Sequence, residues 1–468
     1  MRTAIITLAL GSAAFAAPAT NETPRDSSTP LHWAVYRDDI DATRKLIAEG
    51  ASVKTANRYG VTPLSLAALN GNRAMVDLLL DAGADPNTAL PGGETVLMTA
   101  ARTGRLDAVK TLIAHGADVK AKEEQRGQTA VMWAAAEGHA SVAAELIEHG
   151  ADFRERLESG FNAFLLAVRS GHTEAVDTLL ASGANVNEEI DNPNWQGRRP
   201  RLMKGPRAGT SALVLATLNG HFELAAHLLD KGADPNSDTS GWTALHAITG
   251  VRKPGGGDND PAPYGSGEMT SLGLIRKLAA KGANLNARMT KKINVGLTSL
   301  NTLGATPFFL AARSADSEMM LLLAELGADP LLTNEDGSTP LIAAAGLGTR
   351  SPGEDAGTED EAIAACKVAL DLGNNIDAVD ANGETAMHGA AYKNLPGVVE
   401  YLASRGADIK VWNRPNKRGW TPLVIAVGYR FGNFKPSPVT VAAFHKAMRA
   451  AGVEPPANVD AKGLSDYR

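Results

Sequence analysis

The sequence predicts an α-solenoid of about eleven stacked helix-turn-helix repeats, and three observations carry that expectation. A Thr-Pro-Leu motif recurs, most clearly at Thr29, Thr62, Thr339 and Thr421. Successive repeat starts lie 33 or 34 residues apart over the first five copies. A glycine returns at one fixed place late in each copy. A period of this length marks stacked supersecondary units, none of which can bury its apolar face alone.

The motif is built from helix-start chemistry. Threonine has a short hydroxyl that caps the first free amides of a helix, and proline suits the next position, where an amide proton has no helical partner. Alanine pairs follow (Ala67-Ala68, Ala100-Ala101, Ala311-Ala312, Ala390-Ala391) and allow close helix approach. A glycine turn comes next, at Gly71, Gly104, Gly138, Gly171 and Gly220. A second helix then carries an apolar stripe at three- and four-residue spacing, such as Met75 and Leu79 or Val109 and Leu112. It ends at a glycine suited to a left-handed helix terminus, for example Gly50, Gly83, Gly116 and Gly150. Further starts fall at Thr95, Thr129, Asn162, Ser211, Thr243, Thr306 and Thr385.

Composition agrees with closely packed small-residue helices. Of 468 residues 44% are hydrophobic and only 5% aromatic, which disfavours a β-sandwich. A formal charge of −6 argues against nucleic acid as the main partner. Met1 and Arg2 precede an uncharged run over residues 3–17 that ends in Ala14-Phe15-Ala16. This reads as a signal peptide over 1–16, cleaved after Ala16, too short to remain as a membrane span. The expected location is periplasmic or secreted. Residues 17–25 read as a flexible lead-in, 26–452 as the solenoid and 453–468 as a polar tail. Cys366, the single cysteine, sits in an alanine-rich helical pattern and reads as a buried small residue.

The period together with Thr29-Pro30-Leu31-His32 and Thr243-Ala244-Leu245-His246 resembles the ankyrin-repeat family. The resemblance implies short β-hairpin fingers joining the repeats and a concave face that binds another protein. It places contact positions just before each repeat start and seven or eight residues after it. Carried over position by position, these are Tyr36, Arg37, Arg58, Tyr59, Arg102, Arg126, Phe161, Arg169, Trp242, Arg313, Tyr392, Lys393, Arg418, Trp420 and Tyr429. Glu137 is the one acidic residue among the later positions. Such a basic and aromatic stripe suits an acidic partner surface. Trp33 and Trp133 fall four residues after their starts, a core position, and are set apart from the stripe.

The period is interrupted by insertions near 188–207, 251–271, 287–304, 346–361 and 428–438. The first is basic (Arg198, Arg199, Arg201, Lys204, Arg207, with Trp195), and the fourth is acidic (Glu354, Asp355, Glu359, Asp360, Glu361). Long loops on a rigid scaffold are where binding residues concentrate.

No catalytic motif is present, and eight of ten histidines recur at set repeat positions. His32, His246 and His388 follow the start by three residues, His139, His172 and His221 by ten, His115 and His149 by twenty. A structural role accounts for them without a metal. Asp258-Asn259-Asp260 lacks the glycine and distal glutamate of a calcium loop and reads as a polar turn. The sequence therefore reads as a monomeric, non-catalytic protein-binding scaffold without metal or cofactor. A secreted effector or toxin acting on a foreign cell, and an enzyme built from the inserted loops, are the alternatives.

Overall fold

The computed structural model describes residues 26–192, 207–255, 262–293, 298–429, 436–457 and 459. The chain divides into two compact units with the boundary between Ala208 and Gly209. The signal peptide, the lead-in, most of the basic insertion with Trp195 and Lys204, and Asp258 to Asp260 lie outside the described residues.

Among the described residues the first unit contains five helix pairs: Pro30–Tyr36 with Ile40–Ala48, Pro63–Asn70 with Arg73–Asp81, Val96–Arg102 with Leu106–Ala114, Ala130–Ala136 with Ala140–Glu148, and Ala163–Ser170 with Thr173–Ala181. The second contains six: Ala212–Leu218 with Phe222–Asp230, Ala244–Arg252 with Ser271–Ala280, Pro307–Arg313 with Ser317–Glu325, Pro340–Ala344 with Glu359–Asp371, Ala386–Lys393 with Pro396–Ser404, and Pro422–Ala426 with Pro438–Ala450. A single turn, Ile409–Trp412, precedes the last pair. Within each unit, first helices pack on first helices and second on second, the two-layer stacking of a solenoid.

The motif threonines act as helix caps. The hydroxyls of Thr29, Thr62, Thr95, Thr306, Thr339 and Thr421 each accept from the third helical amide, and Asn162 and Ser211 do the same. Proline occupies the first helical position after Thr29, Thr62, Thr306, Thr339 and Thr421. The alanine pairs and the stripe residues Met75, Leu79, Val109 and Leu112 are fully buried. Cys366 is buried too, and burial pushes its thiol up to about 12, so it stays protonated and inert.

Between helix pairs, where short β-hairpin fingers were expected, the described residues form tight turns with isolated bridges, such as Ala89 with Thr95. Each turn closes on itself, as where Asn57 N–H donates to Val61 and Gly60 to Asn57, and a further bond links it to the neighbouring turn. Arg58 N–H donates to Asp26, Glu124 to Gly92, Glu335 to Leu303, Ala381 to Asp336 and Lys417 to Asn382, at 2.8–3.0 Å. Each finger is thus closed on itself and also tied to its neighbour. Gly160 shows the tightness of this stacking, because it has φ +83° and a Cβ there would meet the Asp191 carbonyl. Gly150, with φ +90°, has open space around the same atom. Both alanine substitutions carry the left-handed penalty of about 1–2 kcal/mol. Gly160→Ala should cost about 1 kcal/mol beyond Gly150→Ala in urea unfolding, and equal losses would contradict the turn-stacking account.

The histidines of the Thr-Pro-Leu-His motif bridge repeats. In His32, His246 and His388 the Nδ1 atom accepts from the amide of Thr29, Thr243 and Thr385, at 3.1, 3.1 and 3.2 Å. The proton therefore resides on Nε2, which donates to Val61, Ala305 and Trp420 carbonyls at 3.0, 3.1 and 3.3 Å. Burial holds His246 and His388 down to about 4, hence neutral. His139 spans to the Arg102 carbonyl, and His115 and His149 bond carbonyls one turn back in their own helices.

Candidate protein-binding faces

In the first unit most of the anticipated contact residues are exposed. Tyr36 is 41% exposed and packs edge-on against Trp33 with centroids 6.0 Å apart. Arg37 and Arg126 are exposed, as are Arg58 and Tyr59 at a turn tip, with the Arg58 guanidinium 5.0 Å from the Tyr59 ring. Arg102 is half-buried, paired with Glu94 at 3.2 Å and placed 5.7 Å from the Trp133 ring. Arg169 is exposed as a residue, although its guanidinium is partly desolvated 5.2 Å from the Phe161 ring. That desolvation, together with the like charge of Arg126, makes the Arg169 charge less favourable.

Three expectations for this unit are corrected. Phe161 is buried, because the turn seats its ring beneath Arg169, so it supports the face without forming it. Trp33 and Trp133, assigned to the core, are half-buried and stand beside Tyr36 and Arg102. Both buried indole nitrogens lack a hydrogen-bond partner, which fits a large ring held at the margin of a small-residue core. Arg102 is also less free than its position implied, since Glu94 neutralises it.

The second unit differs sharply. Trp242 is half-buried, while Arg418 and Tyr429 are exposed. Arg313, Tyr392, Lys393 and Trp420 are all buried, which corrects their assignment as contact residues. The reason for Arg313 and Lys393 is the acidic insertion, which folds back over them. Arg313 donates to Asp355 at 2.6 Å, and Lys393 Nζ donates to the Ala356 carbonyl. The insertion is steadied from the preceding hairpin insertion, where Thr298 bridges to Thr349 and Ser299 N–H donates to Gly348 at 2.8 Å.

Tyr392 is buried for a different reason. Its hydroxyl donates to Glu384 Oε1 at 3.1 Å, and Asn416 Nδ2 donates to the same oxygen at 2.9 Å. Asn416 also accepts from the Trp420 amide, which draws Trp420 inward. The second Glu384 oxygen is buried without a partner. Burial pushes this carboxyl up to about 7, with Asp380 adding to the rise and the two hydrogen bonds opposing it. Glu384 and Glu94 both stand just before a repeat start and reach the residue eight further on, Tyr392 or Arg102. That recurring spacing is a signal from which the sequence could have given both pairs.

Among the described residues no cluster of three or more His, Cys, Asp or Glu side chains could hold a metal ion. None of their helices is long and apolar enough to cross a membrane. A cleft of about 560 Å³ beside the turns of the first unit is lined by Lys54, Asp85, Pro91 and Glu124 among others, with no His, Cys or Ser.

The stacked helix pairs with an exposed turn edge define a repeat scaffold for protein interaction. The family model for ankyrin repeats in three copies matches residues 4–90, 31–123, 97–190 and 357–435, and a single-repeat model matches 208–240. The chain belongs to the ankyrin-repeat family. Over 51 residues it is 39% identical to palmitoyltransferase ZDHHC13 of Homo sapiens and, equally, of Pongo abelii. That match spans 11% of this chain and 8% of either relative.

Proposed function

We propose that the first unit is the protein-binding face of a non-catalytic scaffold working outside the cytoplasm, and that its partner presents an acidic surface. The observation that carries this reading is the exposed set Arg37, Arg58, Tyr59, Arg126 and Arg169, beside Tyr36 and Trp133. Exposed arginines flanked by aromatic rings give both charge complementarity and desolvated contact area. The mutual repulsion of Arg126 and Arg169 is relieved by an incoming carboxylate, so the partner gains from a strain already present in the free protein. The extracytoplasmic setting rests on the N-terminal sequence alone, with its positive start, uncharged run and Ala-x-Ala end.

The chain from Ala17 onward, immobilised and exposed to an envelope fraction, should capture a partner whose affinity falls as salt rises. The variant Arg58→Glu, Arg126→Glu, Arg169→Glu should bind at least about tenfold more weakly, whereas Arg405→Glu in the second unit should bind as the parent does. Undiminished binding by the triple variant would remove the first unit's face from consideration. The effector alternative predicts release of the chain from the producing cell, which fractionation reads directly.

A further inference from the structure

Arg313 and Lys393 stand seven and eight residues after the repeat starts Thr306 and Thr385, yet the chain's own residues 349–358 cover them. The covering segment is an arch. Arg350, Gly353 and Glu354 at its top are exposed, while Asp355 and Ala356 at its foot are pressed onto the two cations. Gly357 passes so close that a Cβ there would sit 2.5 Å from that of Ala315. The two cations thus receive a carboxylate and a main-chain carbonyl from consecutive residues. These are the groups an acidic peptide offers.

The fit is incomplete. Two buried cations meet one buried carboxylate, and Arg313 Nε is buried without a partner. Asp355 directs only Oδ1 to Arg313, because its Oδ2 accepts from Thr349 at 2.9 Å. The Lys393 ammonium faces a neutral carbonyl, and burial lowers its proton affinity accordingly. A carboxylate free to accept from Nε and Nη2 together, with one oxygen on each, makes the stronger, bidentate contact.

We propose that the Arg313–Lys393 site is a second recognition site, for an acidic peptide that bends as this arch does, and that residues 349–358 occupy it in cis as a displaceable ligand. The inference concerns the second unit only and does not depend on the first unit's face. The probe is a labelled synthetic peptide of residues 349–358, and the receptor is the full chain with 350–357 replaced by the same number of Gly and Ser residues. Such a replacement admits water to the cations and leaves the loop closed. The peptide should bind this variant at least about tenfold more tightly than it binds the parent, whose site is filled. Asp355→Asn in the peptide, or Arg313→Gln in the receptor, should each weaken binding by about tenfold or more. A variant that melts cooperatively but binds no peptide, or a peptide that binds parent and variant alike, overturns the proposal. A variant that fails to fold also counts against it, since the segment is then core and not ligand. Hydrogen exchange on the parent tests the same point independently: amides of 349–358 should exchange through local opening, and exchange only with global unfolding defeats the idea.

Discussion

Replacing Arg252 by methionine should destabilise the second unit by up to about 3 kcal/mol, the low end of the range for stripping one partner from a buried ion pair, because Arg252 itself is only half-buried. Arg252 ends the helix Ala244–Arg252 and holds Asp316 with two parallel donors, Nε at 2.6 Å and Nη2 at 3.0 Å. It also reaches Ser271 at 2.8 Å and Glu318 at 2.9 Å. Asp316 is 2% exposed and caps the helix Ser317–Glu325 by accepting from the Met319 amide. Removing the guanidinium leaves the buried Asp316 carboxylate with the Met319 amide as its remaining donor among the described residues. Lysine should rescue poorly, because a single ammonium cannot reproduce the planar fork that holds two oxygens at once. Urea unfolding of Arg252→Met, Arg252→Lys and Arg276→Met tests this. Arg276 pairs with Glu325 at the surface, at 3.0 Å, so its loss should hardly move the midpoint. A similar small shift for Arg252→Met would show that the pair contributes specificity without stability.

Glu384→Gln should make the protein more stable above neutral pH, by as much as about 3 kcal/mol, and leave it nearly unchanged near pH 5. Burial raises the Glu384 carboxyl from 4.5 to about 7, and each unit of such a shift corresponds to about 1.4 kcal/mol. Between those two values the unfolded chain has released this proton and the folded chain still holds it. Stability therefore falls as pH rises through the window and levels off once the folded carboxyl has ionised. Glutamine keeps an oxygen for Tyr392 and Asn416 and never takes on charge, so the slope disappears from the variant. His246 and His388 act in the opposite sense, losing stability as pH falls from 6.5 towards about 4. Because both histidines are common to parent and variant, the difference in unfolding free energy isolates Glu384. A variant less stable than the parent at pH 8 would mean that the ionised carboxylate is held by groups stronger than these two donors.

Local chemistry was largely legible in the sequence. Thr29, Pro30 and His32 specify a capped helix start whatever surrounds them, because a hydroxyl, a fixed φ and an imidazole act on amides within four residues. The glycines that end the second helices repeat for the same reason, and their left-handed φ follows from the turn. The positions of Tyr36, Arg58, Tyr59 and Arg126 were also readable, since nothing is inserted to cover them.

What failed was the transfer of surface positions to the second unit. Arg313 has the same place in its repeat as Arg102, yet one is buried and the other half-exposed. The difference is made by Asp355, 42 residues further along, and a repeat pattern holds no information about where an inserted loop returns. Tyr392 and Trp420 were misplaced for a related reason, because Glu384 and Asn416 satisfy them in a network that spans 32 residues.

The sequence alone determined the repeat, its helix starts and the structural use of its motif histidines, all of which arise from contacts within a repeat or with the residue just before the next repeat start. Only the tertiary structure decided which of the repeated cations remain exposed. That depends on where the insertions land, and burial of a charge is decided by distant residues that bring a partner and exclude water.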